Sequence, residues 1–179
     1  MAGYSGDCGL ATNASFHSPV SLAVDSAANI FIADYNNHRV RTVDRAGVIS
    51  TVAVTGFCCF TGDGVPATST TLFFPHGVAL DREGNLYIAD SLDQRIRKVN
   101  TDGIIRTVAG NGTGGFSGDG GPGIAATLFS PDAVAVAGST LYVADTFNHR
   151  IRKDPSGRHH FDGSRQRSAG FFRRRRAGR

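Results

Sequence analysis

The sequence predicts an all-β fold built from repeated four-stranded units. Three observations predict it. One stretch recurs: Ile30-Phe31-Ile32-Ala33-Asp34 through Arg39-Val40-Arg41 returns as Leu86-Tyr87-Ile88-Ala89-Asp90 through Arg95-Ile96-Arg97, then as Leu141-Tyr142-Val143-Ala144-Asp145 through Arg150-Ile151-Arg152. Asp34 to Asp90 is 56 positions and Asp90 to Asp145 is 55, a fixed period that marks a repeat architecture. Composition agrees: 23 Gly, no Trp and 19% charged residues suit short strands and many turns in a chain of 179 residues, long enough to bury a core. Finally, apolar residues alternate with polar ones in short runs bounded by turn residues.

The chain opens on a loop, residues 1–15. Its Tyr4-Ser5-Gly6-Asp7-Cys8-Gly9 matches Phe60-Thr61-Gly62-Asp63-Gly64-Val65 and Phe116-Ser117-Gly118-Asp119-Gly120-Gly121. Cys8 stands where the other copies have Gly64 and Gly120, at a position that suits a positive φ. Each loop leads to a proline, Pro19, Pro75 or Pro131, and proline is tolerated as the first residue of a strand. The first strand follows as Ser21-Leu22-Ala23-Val24, Gly77-Val78-Ala79-Leu80 and Ala133-Val134-Ala135-Val136. The second, Ile30 to Ala33 and its copies, is apolar on both faces, as in a strand sandwiched between layers. The third, Arg39 to Val43 and Arg95 to Val99, has a clean period of two. The fourth is Val48 to Ala53 and Ile104 to Ala109. Four short antiparallel strands and a long loop make one blade of a β-propeller. The blades span roughly 16–55, 72–109 and 129–153, the last with three strands, inside a repeat body of 16–157.

These residues resemble NHL-repeat proteins of the long bacterial type, which combine an F-S-G-D-G-G-P-A-T loop with P-x-G-V-A-V-D, N-L-Y-I-A-D-x-x-N-x-R-I-R-K-V and T-V-A-G. The resemblance covers residues 3–157. It implies a propeller, commonly of six blades. Three blades do not close a ring, so an open arc is expected, with blade edges exposed to self-association. Most members of the family are interaction platforms. Some relatives of the same architecture are lyases or metal-dependent lactone hydrolases with the site at the central channel. The parent family implies an extracellular or periplasmic location.

Candidate site residues are weighed against that background. Asp34, Asp90 and Asp145 end the second strand, and Arg39, Arg95 and Arg150 follow five positions later. A carboxylate there can accept N–H bonds of the turn and pair with the arginine fork, so these six read as a structural blade motif rather than a ring of metal ligands. Asn37 and Asn148 support the turn, and Asp93 takes their place in the middle copy. The Gly-Asp-Gly loops lack the Lys-Ser/Thr of a phosphate loop and the acids of a calcium loop, so they also read as turns. His38 and His149 share one turn slot and read as surface residues. His76 and Asp132 follow the strand-opening prolines and are the binding candidates, placed at the channel mouth if the first strand lines it. No catalytic residue, metal ligand set or cofactor emerges. The reading is therefore a non-catalytic scaffold for an unknown protein or small ligand, with a propeller lyase or lactone hydrolase as the alternative.

Charge narrows the partners. Residues 158–179 hold eight Arg and one acid, whereas residues 1–157 hold eleven Lys+Arg and fourteen Asp+Glu. The repeat body is mildly acidic and offers no bulk attraction to nucleic acid. No run is apolar and long enough to span a membrane, and the N-terminus has neither the basic nor the apolar region of a signal peptide. Cys8, Cys58 and Cys59 are odd in number, so at least one lacks a partner in the chain. The repeat pattern stops after Gly157, where the tail turns Arg-rich. One permitted set of codons for residues 158–178, shifted by one nucleotide, reads V-I-T-S-T-V-A-G-N-G-A-P-A-F-S-G-D-G-G-P-A, with its Asp in register with Asp119 at a spacing of 55. The tail is accordingly expected to be disordered and to be the next repeat read in a shifted frame.

Overall fold

The computed structural model describes residues 3–53 and 60–154. The expectations for residues 158–179, Cys58 and Cys59 lie outside them. Three antiparallel sheets follow one another along the chain. The first has the order β1-β2-β3-β4: β1 Pro19–Val24, β2 Ile30–Asp34, β3 Arg39–Val43 and β4 Ile49–Ala53. The second has the order β5-β9-β8-β7-β6: β5 Val65–Pro66, β6 Pro75–Leu80, β7 Leu86–Asp90, β8 Arg95–Val99 and β9 Ile104–Ala109. The third is β10-β11-β12: β10 Pro131–Ala137, β11 Thr140–Asp145 and β12 Arg150–Asp154. Each sheet is one propeller blade. No sheet closes on itself, and β1, β6 and β10 lie side by side in succession.

Local chemistry explains the elements. Proline opens β1, β6 and β10, and the residue before each proline, Ser18, Phe74 or Ser130, has a positive φ of 55°, 57° or 48°. The pairing with the second strand slips just after that proline in all three blades, between Pro19 and Ser21, Pro75 and Val78, and Pro131 and Ala133. Between the second and third strands the chain makes one 3-10 turn in the first and third blades, ended by His38 and His149 in the left-handed region. β7 is buried along its whole length, which is why its sequence lacks alternation.

The long loops do not merely connect. In the second blade, β5 adds a fifth strand against β9. In the first blade the segment read as an opening loop does the same: the N–H of Cys8 donates to Ile49 O at 2.8 Å, and the N–H of Ala11 donates to Gly47 O at 2.8 Å. These two loops thus fold back over the outer strand of the blade that follows each. Cys8 holds the φ of 66° that Gly64 and Gly120 hold at 77° and 79°.

The core sits in the seams between blades. Ala33, Val40 and Ala53 of the first blade pack on Leu72, Val78, Leu86 and Ile88 of the second. Tyr87, Ala89, Ile96 and Val108 of the second pack on Leu128, Val134, Leu141 and Val143 of the third. Gly77 is required by close approach, because a Cβ there would lie 2.7 Å from Asp132 O on the neighbouring blade. Among the described residues no helix is long and apolar enough to cross a membrane.

Candidate functional site

The recurring aspartate ends the second strand and is fully buried in every blade. It accepts the N–H of the residue two before the strand-opening proline: His17 to Asp34, Phe73 to Asp90 and Phe129 to Asp145, each at 2.7 Å. The backbone donor is therefore the incoming loop of the same blade, while the turn contributes side-chain donors in the first and third blades. Asn37 Nδ2 donates to Asp34 Oδ2 at 2.8 Å, and Asn148 Nδ2 donates to both oxygens of Asp145 at 2.9 Å. A buried carboxylate satisfied by several donors is held in place from the loop and from the turn together.

The arginine expected to pair with this aspartate is corrected by the structure. Asp34 and Arg39, Asp90 and Arg95, and Asp145 and Arg150 are direct cross-strand neighbours. Yet Arg39, Arg95 and Arg150 lay their guanidinium groups on the loop aromatic instead, over Tyr4 at 3.4 Å, Phe60 at 4.0 Å and Phe116 at 3.6 Å. The ion-pairing residue is the arginine two positions further on. Arg41, Arg97 and Arg152 are the largest buried side chains described. Each bonds the Gly-Asp-Gly aspartate: Arg41 to Asp7 at 2.8 Å, Arg97 to Asp63 at 3.0 Å and Arg152 to Asp119 at 2.7 Å. They also donate to loop carbonyls, as Arg41 does to Ser15 O and Ser5 O at 2.9 Å. Arg152 reaches Asp145 Oδ2 at 3.3 Å, and Arg97 lies 3.7 Å from Asp90 Oδ2. The same aromatic ring lies between the two arginines, about 5 Å from the buried one. The loop aspartate, expected to serve a turn, is thus the outer anchor of a buried clamp. Burial pushes the Asp7 carboxyl up, but hydrogen bonds from Tyr4, Thr51 and Arg41 outweigh it and hold its pKa below the usual range.

The middle blade departs from its neighbours at one point. Asp93 occupies the slot of Asn37 and Asn148 and supplies a second carboxyl where the others supply an amide. Burial pushes Asp90 up to about 8, and repulsion from Asp93 adds to it; the Phe73 N–H and the charges of Arg97 and Arg95 oppose the rise. Burial also raises Asp93. Oδ2 of both carboxyls and Nη1 of Arg97 have no hydrogen-bond partner. Burial and the neighbouring acid together favour the protonated form of Asp90 up to about pH 8.

The two binding candidates come together, through backbone. His76 on β6 and Asp132 on β10 sit on neighbouring first strands, and His76 Nδ1 donates to the backbone carbonyl of Asp132 at 3.0 Å. The Asp132 carboxylate instead accepts Ser130 Oγ at 3.3 Å. The His76 ring stands edge-on to Tyr35, centroids 5.5 Å apart.

His38 and His149, expected to be alike on the surface, differ. His38 is half-buried, packs on Phe73 and Phe74, and its Nδ1 accepts the N–H of Phe74 from the next blade at 3.2 Å. Burial, and then the charge of Arg39, lowers its pKa. Gln94 Oε1 does the same one blade later, accepting the N–H of Ser130 at 2.6 Å. His149 is exposed.

Opposite the prolines, at the far ends of the first strands, a cleft of about 470 Å³ is lined by Asp25, Leu80, Asp81, Arg82, Val136 and Gly138. Beside it Asp81 accepts Tyr87 OH at 3.2 Å and lies 3.6 Å from Lys98 Nζ. Sequence reasoning missed both this cluster and the buried arginines. The arginines carried a signal, since Arg41, Arg97 and Arg152 recur with the same 56- and 55-residue spacing as the aspartates. Asp81 and its Asn85 partner recur as Asp25 and Asn29, but Tyr87 and Lys98 have Phe31 and Thr42 in the first blade, so the full cluster carried no repeat signal.

A family model of the NHL repeat matches residues 16–42, and one of the teneurin NHL domain matches residues 54–114. The repeat, the blade topology and these matches coincide. This is an NHL-repeat chain. Human teneurin-4 is 36% identical to it over 156 residues, a match that takes in 75% of the chain but 6% of that relative's length. Among solved structures, an NHL-like fold recurs in a structural genomics protein from Bacteroides thetaiotaomicron, with a TM-score of 0.66, 24% identity, and coverage of 85% of this chain and 37% of that one. A gluconolactonase from Xanthomonas campestris shares the fold at a TM-score of 0.56 and 16% identity, covering 80% and 46%. At these identities the solved structures speak for the fold alone.

Proposed function

We propose that this NHL chain is a non-catalytic binding scaffold, working outside the cell on a protein or small ligand. One observation carries the reading. The polar residues that recur in every blade are consumed internally: loop aspartate, strand aspartate and buried arginine bond one another or the backbone around them. A constellation spent on holding each blade leaves recognition to the variable residues at the blade ends. The resemblance to long-repeat NHL proteins supports the extracellular placement.

A propeller hydrolase is the second reading. It is favoured by the shared fold with the gluconolactonase and by His76 and Asp132 lying on adjacent first strands. A direct assay separates the two. The full chain is incubated with γ- and δ-lactones in the presence of Ca2+, Mn2+ or Zn2+. The scaffold reading expects no turnover above buffer. Metal-dependent turnover that disappears in both His76→Ala and Asp132→Ala would replace it with the hydrolase reading.

A further inference from the structure

We infer that the open face of the first blade is a docking surface for the third blade of a second copy of this chain, joined head to tail. The argument starts from equivalent positions. Val78, Leu86 and Ile88 of the second blade are buried against the first, and Val134, Leu141 and Val143 of the third are buried against the second, all at 8% exposure or less. Their counterparts in the first blade are Leu22, Ile30 and Ile32. Leu22 is 66% exposed and Ile30 is 37% exposed. With Phe16, Pro19 and Val20 these residues line an open apolar groove of about 520 Å³. The surface is a copy of a seam that the chain buries twice within itself.

The complementary face is at the other end. Val40 of the first blade and Ile96 of the second are fully buried where the next blade covers them, whereas Ile151, in the same place on the third, is 44% exposed. One polar pair matches as well. At each internal seam the residue before the third strand accepts the N–H of the residue before the next proline: His38 from Phe74, Gln94 from Ser130. His149 is the third such acceptor and Ser18 the first such donor, and both are exposed. Ser18 already holds the left-handed backbone that presents this N–H, with φ 55° against 57° for Phe74 and 48° for Ser130. So one end of the chain offers apolar side chains and a donor, and the other offers apolar side chains and the matching acceptor. A blade of the same repeat is the occupant that fits both, and a second copy supplies it. Two copies bring six blades, and a head-to-tail contact that repeats by a two-fold axis closes.

The test is the mass of the full chain in solution, by sedimentation velocity and light scattering at micromolar concentration. The expected mass is twice 18.9 kDa. Leu22→Arg and Ile151→Arg each place a charge in the seam, and each should weaken the pair by about 100-fold and return the mass to one chain. Both sites are exposed in the single chain, so thermal melts of the two variants should match the parent at dilutions where it is monomeric. Mixing the two variants restores one intact seam and should return a species of two chains. A parent that stays monomeric overturns the inference, as does a larger open polymer. A pair that survives Ile151→Arg but not Leu22→Arg overturns it too, because it would mean that two copies of the same face meet.

Discussion

The first and middle blades share a clamp and differ in one carboxyl, and the difference shows what the clamp needs. In the first blade Asn37 donates an amide hydrogen to Asp34 Oδ2 while the His17 N–H serves Oδ1, so both oxygens meet a donor. In the middle blade Asp93 replaces that donor, Asp90 rises to about 8, and Arg97 lies 3.7 Å from Asp90 Oδ2. The third blade, like the first, supplies an amide: Asn148 Nδ2 donates to both oxygens of Asp145, and Arg152 lies 3.3 Å from Asp145 Oδ2. A buried aspartate is a staple while its oxygens meet donors; a second acid in the donor's place favours its protonated form.

The largest effect tests whether the clamp holds the blades at all. Arg97→Ala should lose about 1.5–3 kcal/mol of stability in thermal or denaturant melts, and Arg41→Ala a similar amount, since each removes the charged hydrogen bonds that tie the loop to the blade. A cost below about 1 kcal/mol for both would mean that apolar packing alone sets the blade.

The next tests the difference itself. Asp93→Asn should restore the amide and stabilise the middle blade by about 1–2 kcal/mol at pH 8, read as slower amide hydrogen exchange in β7. The sign with pH follows from linkage. A carboxyl whose folded pKa is raised is penalised as its charged form becomes the solution form, so its stability is complete below about pH 4 and is lost as pH rises towards 8. His38 works against this over part of the range: its lowered pKa costs stability as pH falls through 6.5. Asp7, Asp25 and Asp81 are lowered and act only below about pH 4. The Asp93→Asn chain should therefore lose the decline between pH 6.5 and 8, where His38 is already neutral. Conversely, Asn37→Asp should transplant that decline into the first blade. An unchanged profile in both would show that the acid at position 93 does not raise Asp90.

A smaller effect concerns the seams. His38→Gln copies the middle blade's acceptor and should remove the acid-side loss near pH 6 at a cost below about 1 kcal/mol at pH 7.5, measured by melts at the two pH values. The smallest is Cys8→Gly, expected to gain up to about 1 kcal/mol by relieving a side chain at φ 66° in a slot the other blades fill with glycine.

Much of this was legible in the sequence, for a physical reason. Strand order and blade type follow from patterns local to a dozen residues: the proline, the alternation in Arg95-Ile96-Arg97-Lys98-Val99, the turn after Asp90. The partner of each arginine was not local. Arg39 and Arg41 point to the same face of β3, so either one satisfies the spacing from Asp34. What separates them is Tyr4, whose ring holds Arg39 at 3.4 Å and leaves Arg41 to the interior. The role of His38 was hidden likewise, because its ring is covered by Phe73 and Phe74 from the following blade. His76 and Asp132 each follow a strand-opening proline, which the sequence shows, but the contact of the histidine with the aspartate's carbonyl rather than its carboxylate depends on how neighbouring blades pack.

The clamp also defines what can be inherited as one piece. Asp7 and Arg41, Asp63 and Arg97, and Asp119 and Arg152 are paired at sequence separations of 34, 34 and 33 residues. In each case both partners lie between the aromatic that starts the loop and the end of the third strand. A duplication that begins at Tyr4, Phe60 or Phe116 therefore carries a whole ion pair and its ring into the new copy. One that begins at the strand-opening proline, where the eye places the start of a blade, would separate aspartate from arginine and leave a buried cation to find its counterion in the neighbouring copy. The natural gene-level unit of this propeller starts with its loop.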